Sequence, residues 1–152
     1  MIKVLSLFLL FISYVSASYE VIDEENIFTI KTKDISFDEL HINLEDEITF
    51  QSFVIVHKLD LAKSTAKVAE ALEKKAVLKK GINILICKSS FTLAMHEENI
   101  KNITYCPLNI SVYADEQYNY ISYKKYDNFG KDDKIANEIN EKLKNIVLKS
   151  LD

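Results

Sequence analysis

From Cys106 to Ala114 every second residue is small or apolar. Cys106, Leu108, Ile110, Val112 and Ala114 share one side; Pro107, Asn109, Ser111 and Tyr113 take the other. That period of two describes a strand with one face buried and the other carrying polar and aromatic groups. Extended backwards, residues 103–114 read as one strand, with Tyr105 beside Tyr113 on the second face. The Pro107 ring removes a ladder donor, which marks a strand start, an edge or a bulge. The C-terminal segment has the other period. Ile135, Ile139, Leu143, Ile146, Val147 and Leu151 recur at helical spacing behind Asp132. A long closing helix is therefore expected to lay this stripe on the sheet.

The elements between alternate in kind. Residues 27–32 read as a first strand. Ser36 and Glu39 form a capping-box pattern, and Phe37, Leu40, Leu44 and Ile48 give the helix they open a buried stripe. Phe53-Val54-Ile55-Val56 is apolar on both faces and reads as a buried central strand. Asp60 is placed to cap a second helix running to about Leu78, striped by Leu61, Thr65, Val68, Ala69 and Leu72, with Gly81 near its terminator. Residues 82–87 form a third strand. Ser89 or Ser90 opens a short helix over 91–98, and residues 118–126 return as a hairpin partner of the strand before them. About five strands with helices packed on one face define an α+β domain with a mostly antiparallel sheet. Two glycines and one proline in the whole chain leave little room for loops.

The N-terminus reads as an address. Lys3, the apolar run 4–12 and the small residues Val15-Ser16-Ala17 form the three parts of a secretory signal, so residues 1–17 are expected to be removed. Residues 18–152 then form a single domain in the periplasm or outside the cell. The apolar run is short for a bilayer, so no stable membrane span is expected after cleavage. The chain has no arginine and a net charge of −4. Guanidinium forks are absent and there is no basic footprint, which argues against nucleic acid as a partner.

Taken together, 59–63, the strand 84–88, the Met95 helix, the segment Tyr105-Cys106-Pro107-Leu108-Asn109-Ile110-Ser111-Val112-Tyr113, the strand 120–124 and the closing helix resemble the exported branch of the bacterial Domain of Unknown Function 302 family. The resemblance covers roughly 28–151. It implies a curved antiparallel sheet related in topology to the TATA-box-binding-protein-like fold, and it makes a homodimer plausible. It implies no catalytic residue, because the family has no agreed activity. Lys124 and Lys125 stand where many members carry arginine.

Two groups of residues invite a functional reading. Cys87 and Cys106 are the two cysteines, and export would carry them into an oxidising compartment where such thiols usually pair as a structural disulfide. They lack the Cys-X-X-Cys spacing of a redox dithiol. Met95 and His96 lie between them; Met, His and Cys together would suit copper or haem, although Met95 reads equally as a packing residue and His96 as a solvated one. Tyr105, Tyr113, Tyr118 and Tyr120 crowd the last hairpin. They fit a ligand-binding or subunit-binding face, and equally cross-strand aromatic pairs with no partner. His41 and His57 have no visible partners. Asn102-Ile103-Thr104 and Asn109-Ile110-Ser111 match the glycosylation triplet, which chance explains in an Asn-rich chain. No glycine-rich phosphate loop and no Ser-His-Asp arrangement is present. The expectation is a non-enzymatic binding or self-assembly module for a small-molecule ligand or a second copy, without a cofactor. The alternative is a thiol-redox or metal-handling protein centred on Cys87 and Cys106.

Overall fold

A computed structural model describes residues 18–127, 129 and 133–152. The expected leader, 1–17, and the expected helix start at Asp132 lie outside the described residues. Six strands form one sheet: β1 (Tyr19–Asp23), β2 (Ile27–Thr32), β3 (Val54–Asp60), β4 (Lys80–Cys87), β5 (Leu108–Ala114) and β6 (Asn119–Lys124). Their order is β1-β2-β6-β5-β4-β3, and every neighbouring pair is antiparallel. The strand beyond the expected five is β1, a short hairpin partner of β2.

Among the described residues, four α-helices accompany the sheet: α1 (Phe37–Phe50), α2 (Leu61–Ala71), α3 (Ser89–Glu98) and α4 (Lys134–Lys149). The stripes of α1 and α4 are buried as their spacing requires, and the two helices pack on each other and on the sheet. Ser36 Oγ accepts a hydrogen bond from the Glu39 amide, which satisfies one orphan donor at the start of α1. Beneath the helices, Phe28, Ile30, Ile84, Ile86, Leu108, Ile110, Val112, Ile121 and Tyr123 form the sheet side of one continuous core. These are the even-numbered residues of β2, β4 and β5 and the odd-numbered residues of β6, as cross-strand register demands.

Three expected elements differ. Phe53-Val54-Ile55-Val56 is not a central strand. It opens β3 at the sheet edge, with Val54 64% and Val56 55% exposed. A bulge between Ile55 and His57 shifts the register there. The second helix stops at Ala71, and Leu61, Val68 and Leu72 face solvent; it buries Ala62 instead, against β4. Asp60 does cap it, through the Lys63 amide. Gly81 terminates nothing. It lies inside β4, where a Cβ would collide with the Leu78 side chain. Finally, Ile100–Tyr105 is a 3₁₀ helix rather than strand, and a cis Cys106–Pro107 peptide separates it from β5.

Candidate binding face of the sheet

The odd-numbered residues of β2, β4 and β5 and the even-numbered residues of β6 point away from the helices. Register sorts them into rows across the strands. One row runs Gly81, Tyr113, Tyr120, Lys31, Glu20. The next runs Asn83, Ser111, Ser122, Thr29. Beyond it lie Leu85 opposite Asn109, and Ile27 opposite Lys124. Four small polar side chains thus cross the middle of the sheet between an aromatic border and a mixed one.

These polar groups are wired together. Thr29 Oγ1 and Ser122 Oγ are 2.8 Å apart and both residues are buried. The Tyr113 hydroxyl lies 2.9 Å from the same Ser122 oxygen. Asn83 Nδ2 donates to Ser111 Oγ at 3.2 Å. Asn83 Oδ1, though buried, makes no hydrogen bond within the protein. An enclosed carbonyl without a donor costs about 1–3 kcal/mol. Asn83 lines a cleft of roughly 310 Å³ together with Asn26, Ile27, Asn109, Ser122 and Lys124, among others. Three amides and two serine hydroxyls are among the lining residues, much of the lining surface is apolar, and the one formal charge on it is the Lys124 ammonium. A larger depression, about 1030 Å³, follows the outer side of α4, where Glu138 and Glu141 alternate with Lys134, Lys142 and Lys144.

The aromatic border is held from within. Tyr113 and Tyr120 stack, with ring centroids 4.9 Å apart and planes 9° from parallel. Lys31 and Lys33 place their ammonium groups 4.2 and 4.4 Å from the Tyr118 ring centre, favourable contacts with its electron-rich face. Tyr120 donates to Asp115 Oδ2, and Asp115 Oδ1 accepts from the amides of Gln117 and Tyr118 in the hairpin turn. The Gln117 amide, the Tyr120 hydroxyl and the Tyr118 amide hold the Asp115 carboxyl below its ordinary range. The bond to Asp115 pushes the Tyr120 hydroxyl up to about 12. Both shifts stabilise the turn between their limits. The carboxylate contribution is lost as pH falls through the acid range, and the phenol contribution is lost as pH rises from 10 toward 12.

Tyr113, Tyr118 and Tyr120 therefore share one side of the sheet, while Tyr105 does not. Tyr105 ends the 3₁₀ helix and packs on Phe129 and Tyr126, at 4.9 and 6.4 Å between ring centres. The 3₁₀ turn breaks the alternation that would have carried Tyr105 to Tyr113's side. Asn102, read only as part of a chance triplet, is a buried linchpin. Its Nδ2 donates to the carbonyls of Met95 and Phe129, tying α3 and the 3₁₀ helix to the segment before α4. The only sequence signal for this role was a polar residue among Ile100, Ile103 and Tyr105.

Cys87 and Cys106 are free thiols, so the expected disulfide is not formed in this structure. The two sulfurs nevertheless flank one hydroxyl. Thr92 Oγ1 lies 3.4 Å from Cys87 Sγ and 3.6 Å from Cys106 Sγ. Both sulfurs thus contact the same oxygen. Met95 is fully buried in the core, and His96 lies one turn beyond Thr92 on α3 with an enclosed Nε2 that bonds nothing. Among the described residues no group of three or more His, Cys, Asp or Glu side chains is arranged to hold a metal ion. His41 does have a partner: it meets Glu45 one helical turn away, and Lys58 of β3 reaches the same carboxylate. His57 is exposed on β3.

This combination of an all-antiparallel sheet, one helix-covered face and one polar-aromatic face defines a small α+β domain. The chain belongs to the family described as Domain of unknown function DUF302, whose sequence profile matches residues 28–149. A solved structure described as that of the uncharacterized conserved protein DUF302 from Bacillus stearothermophilus is similar to it, with a TM-score of 0.69 at 12% identity over 84% of this chain and 99% of that one. At that identity the likeness speaks for the fold alone. No curated protein matches. Among the described residues no helix is long and apolar enough to cross a membrane.

Proposed function

We propose that this chain is an exported binding domain that takes a small polar molecule on the helix-free side of its sheet. The observation that carries the reading is Asn83. Its carboxamide is fixed by Ser111, its oxygen is buried without a donor, and the residue lines the cleft. Once the side chain turns toward the cleft, a ligand N–H or O–H would recover the missing bond, while Asn109 and Ser122 offer further polar contacts, Ile27 an apolar wall and Lys124 a charge for an anionic group. The stacked Tyr113 and Tyr120 stiffen the neighbouring row, so the site needs little ordering when occupied.

Amide NMR spectra recorded with a panel of primary amides, N-acetylated amino acids and hydroxy acids test this. At least one class is expected to shift Asn83, Asn109, Ser111, Ser122 and Lys124 together, and Asn83→Leu is expected to abolish the shifts while the rest of the spectrum persists. A panel that leaves these residues unmoved, or shifts that survive Asn83→Leu, would refute the reading.

The Thr92 hydroxyl shared by the two thiols favours a second, structural role for the cysteines. In an oxidising compartment Cys87 and Cys106 would lose two protons and two electrons to a disulfide donor such as oxidised glutathione, which is reduced to two thiols. Both sulfurs contact the same hydroxyl, so closing the bridge requires Thr92 to move aside. A bridge here closes a loop of about 20 residues, worth roughly 3 kcal/mol on the chain-entropy account. Intact mass of the folded protein after glutathione equilibration should fall by two hydrogens, with one Cys87–Cys106 peptide after digestion. Two alkylatable thiols after that treatment would remove the brace.

A further inference from the structure

Charge is unevenly spread along this chain. Residues 61–80 contain six of its 19 lysines and two of its 23 carboxylates, so the segment carries +4 in a chain whose net charge is −4. The same segment, α2 and the loop leading to β4, leaves large apolar side chains bare. Leu61, Val68 and Leu72 face solvent, and Val77, at 92% exposed, is the barest large apolar residue among those described. Local structure explains the display. α2 turns small residues toward the domain: Ala62 is buried, and Ala66 and Ala69 are half-buried. Successive 100° steps then put Leu61, Val68 and Leu72 in one stripe and Lys63 and Lys67 in another, with Ser64 and Ala71 between them. Beyond the helix, Lys74-Lys75-Ala76-Val77-Leu78-Lys79-Lys80 sets the bare valine between two lysine pairs. Leu78 is half-buried and fills the space that Gly81 leaves by having no Cβ. That contact anchors the loop beside β4 while its neighbour Val77 stays in solvent.

We infer that α2 and the 74–80 loop dock the domain on a bilayer surface that contains anionic lipid. Charge complementarity names the occupant. Lysines alone would suit any polyanion, but a polyanion has no use for bare valine and leucine. An anionic bilayer meets both: acidic headgroups for the ammonium groups, and an acyl boundary into which an apolar stripe sinks by roughly 5–10 Å. Lysine stems are long enough to lie along that boundary with their charges in the headgroup layer. Lys79 and Lys80 pair with Glu116 and Asp38 at 2.7 and 3.0 Å, but all four groups are exposed and water screens the pairs. Lys63, Lys67, Lys74 and Lys75 enter no ion pair among the described residues. The acidic remainder of the chain is repelled by the same surface, which turns this segment toward the membrane. At 11 residues α2 is too short to cross the bilayer, so the contact is peripheral.

Co-sedimentation of residues 18–152, which include every described element, with lipid vesicles tests the proposal. Vesicles of equal parts phosphatidylcholine and phosphatidylglycerol are expected to bind the domain about tenfold or more tightly than phosphatidylcholine alone, and added salt should weaken that binding. Each lysine near an anionic surface contributes a factor of about five, so Lys74→Ala with Lys75→Ala should weaken binding by about tenfold or more. Val77→Asp should weaken it to a similar extent with an unchanged melting midpoint, because the side chain touches little of the domain. Lys101→Ala with Lys149→Ala removes the same charge elsewhere and should leave binding as it was. The chain has no tryptophan, so Val77→Trp supplies a single reporter whose emission should shift to the blue on the mixed vesicles. Failure to bind the mixed vesicles, equal binding to both kinds, or equal losses from the two lysine pairs would each overturn the docking surface. A Val77→Trp emission that stays unshifted on bound protein would also overturn it, because it would mark adsorption by charge alone.

Discussion

Ile110→Ala is expected to lower stability by about 3–4 kcal/mol, the range for removing a large aliphatic side chain from a packed interior. Ile110 is wholly buried on β5, with β4 and β6 as neighbours and Ile84 directly opposite. Both flanks and the helical layer above are fixed, so the space cannot collapse and the cavity term applies nearly in full. The thermal midpoint should drop by ~10 °C or more for a chain of this size. Val54→Ala is the matched control. It removes apolar atoms from the edge strand and should move the stability of the monomer by less than about 0.5 kcal/mol. Equal losses at the two positions would mean that Val54 on β3 is packed as tightly as Ile110 on β5.

The second large effect is expected at Asn102. Its single carboxamide nitrogen serves two carbonyls, those of Met95 and Phe129, in a place without solvent. Asn102→Ala strands both acceptors, and each buried unpaired group costs about 1–3 kcal/mol, so a loss of about 3 kcal/mol is expected. Asn102→Asp should be at least as harmful, because it replaces a double donor with an acceptor facing two other acceptors. Urea unfolding followed by far-UV circular dichroism measures both. A change below about 1 kcal/mol for Asn102→Ala would show that the two carbonyls find other donors.

Periodicity carried much of the fold. The stripes of α1 and α4 and the alternation of β5 were legible because each element buries one face against an adjacent layer, so the pattern and the burial have a common cause. The same logic misplaced β3. Val54-Ile55-Val56 has the composition of a strand sandwiched between layers, but it sits at the edge of the sheet, where composition alone does not distinguish it from a central strand. The α2 stripe failed because the helix turns Ala62, not its larger apolar residues, toward the domain. Tyr105 was misassigned because Cys106-Pro107 ends a 3₁₀ turn, and a turn resets the parity on which any face assignment depends. The candidate site was half legible. Tyr113, Tyr118 and Tyr120 stand out as an aromatic cluster in the sequence. The row Asn83-Ser111-Ser122-Thr29 does not, since its members come from four strands and meet only through register.

The enclosure of Asn102 also bears on how this protein can be produced. Asn102-Ile103-Thr104 is a sequon, and a eukaryotic secretory host would present it to the oligosaccharyl transferase before folding is complete. A glycan attached there would occupy the very nitrogen that holds the Met95 and Phe129 carbonyls. Glycosylated molecules could not close this corner, and secretion from yeast or insect cells would divide the product into a folded unmodified fraction and a misfolded modified one. A bacterial host avoids that division.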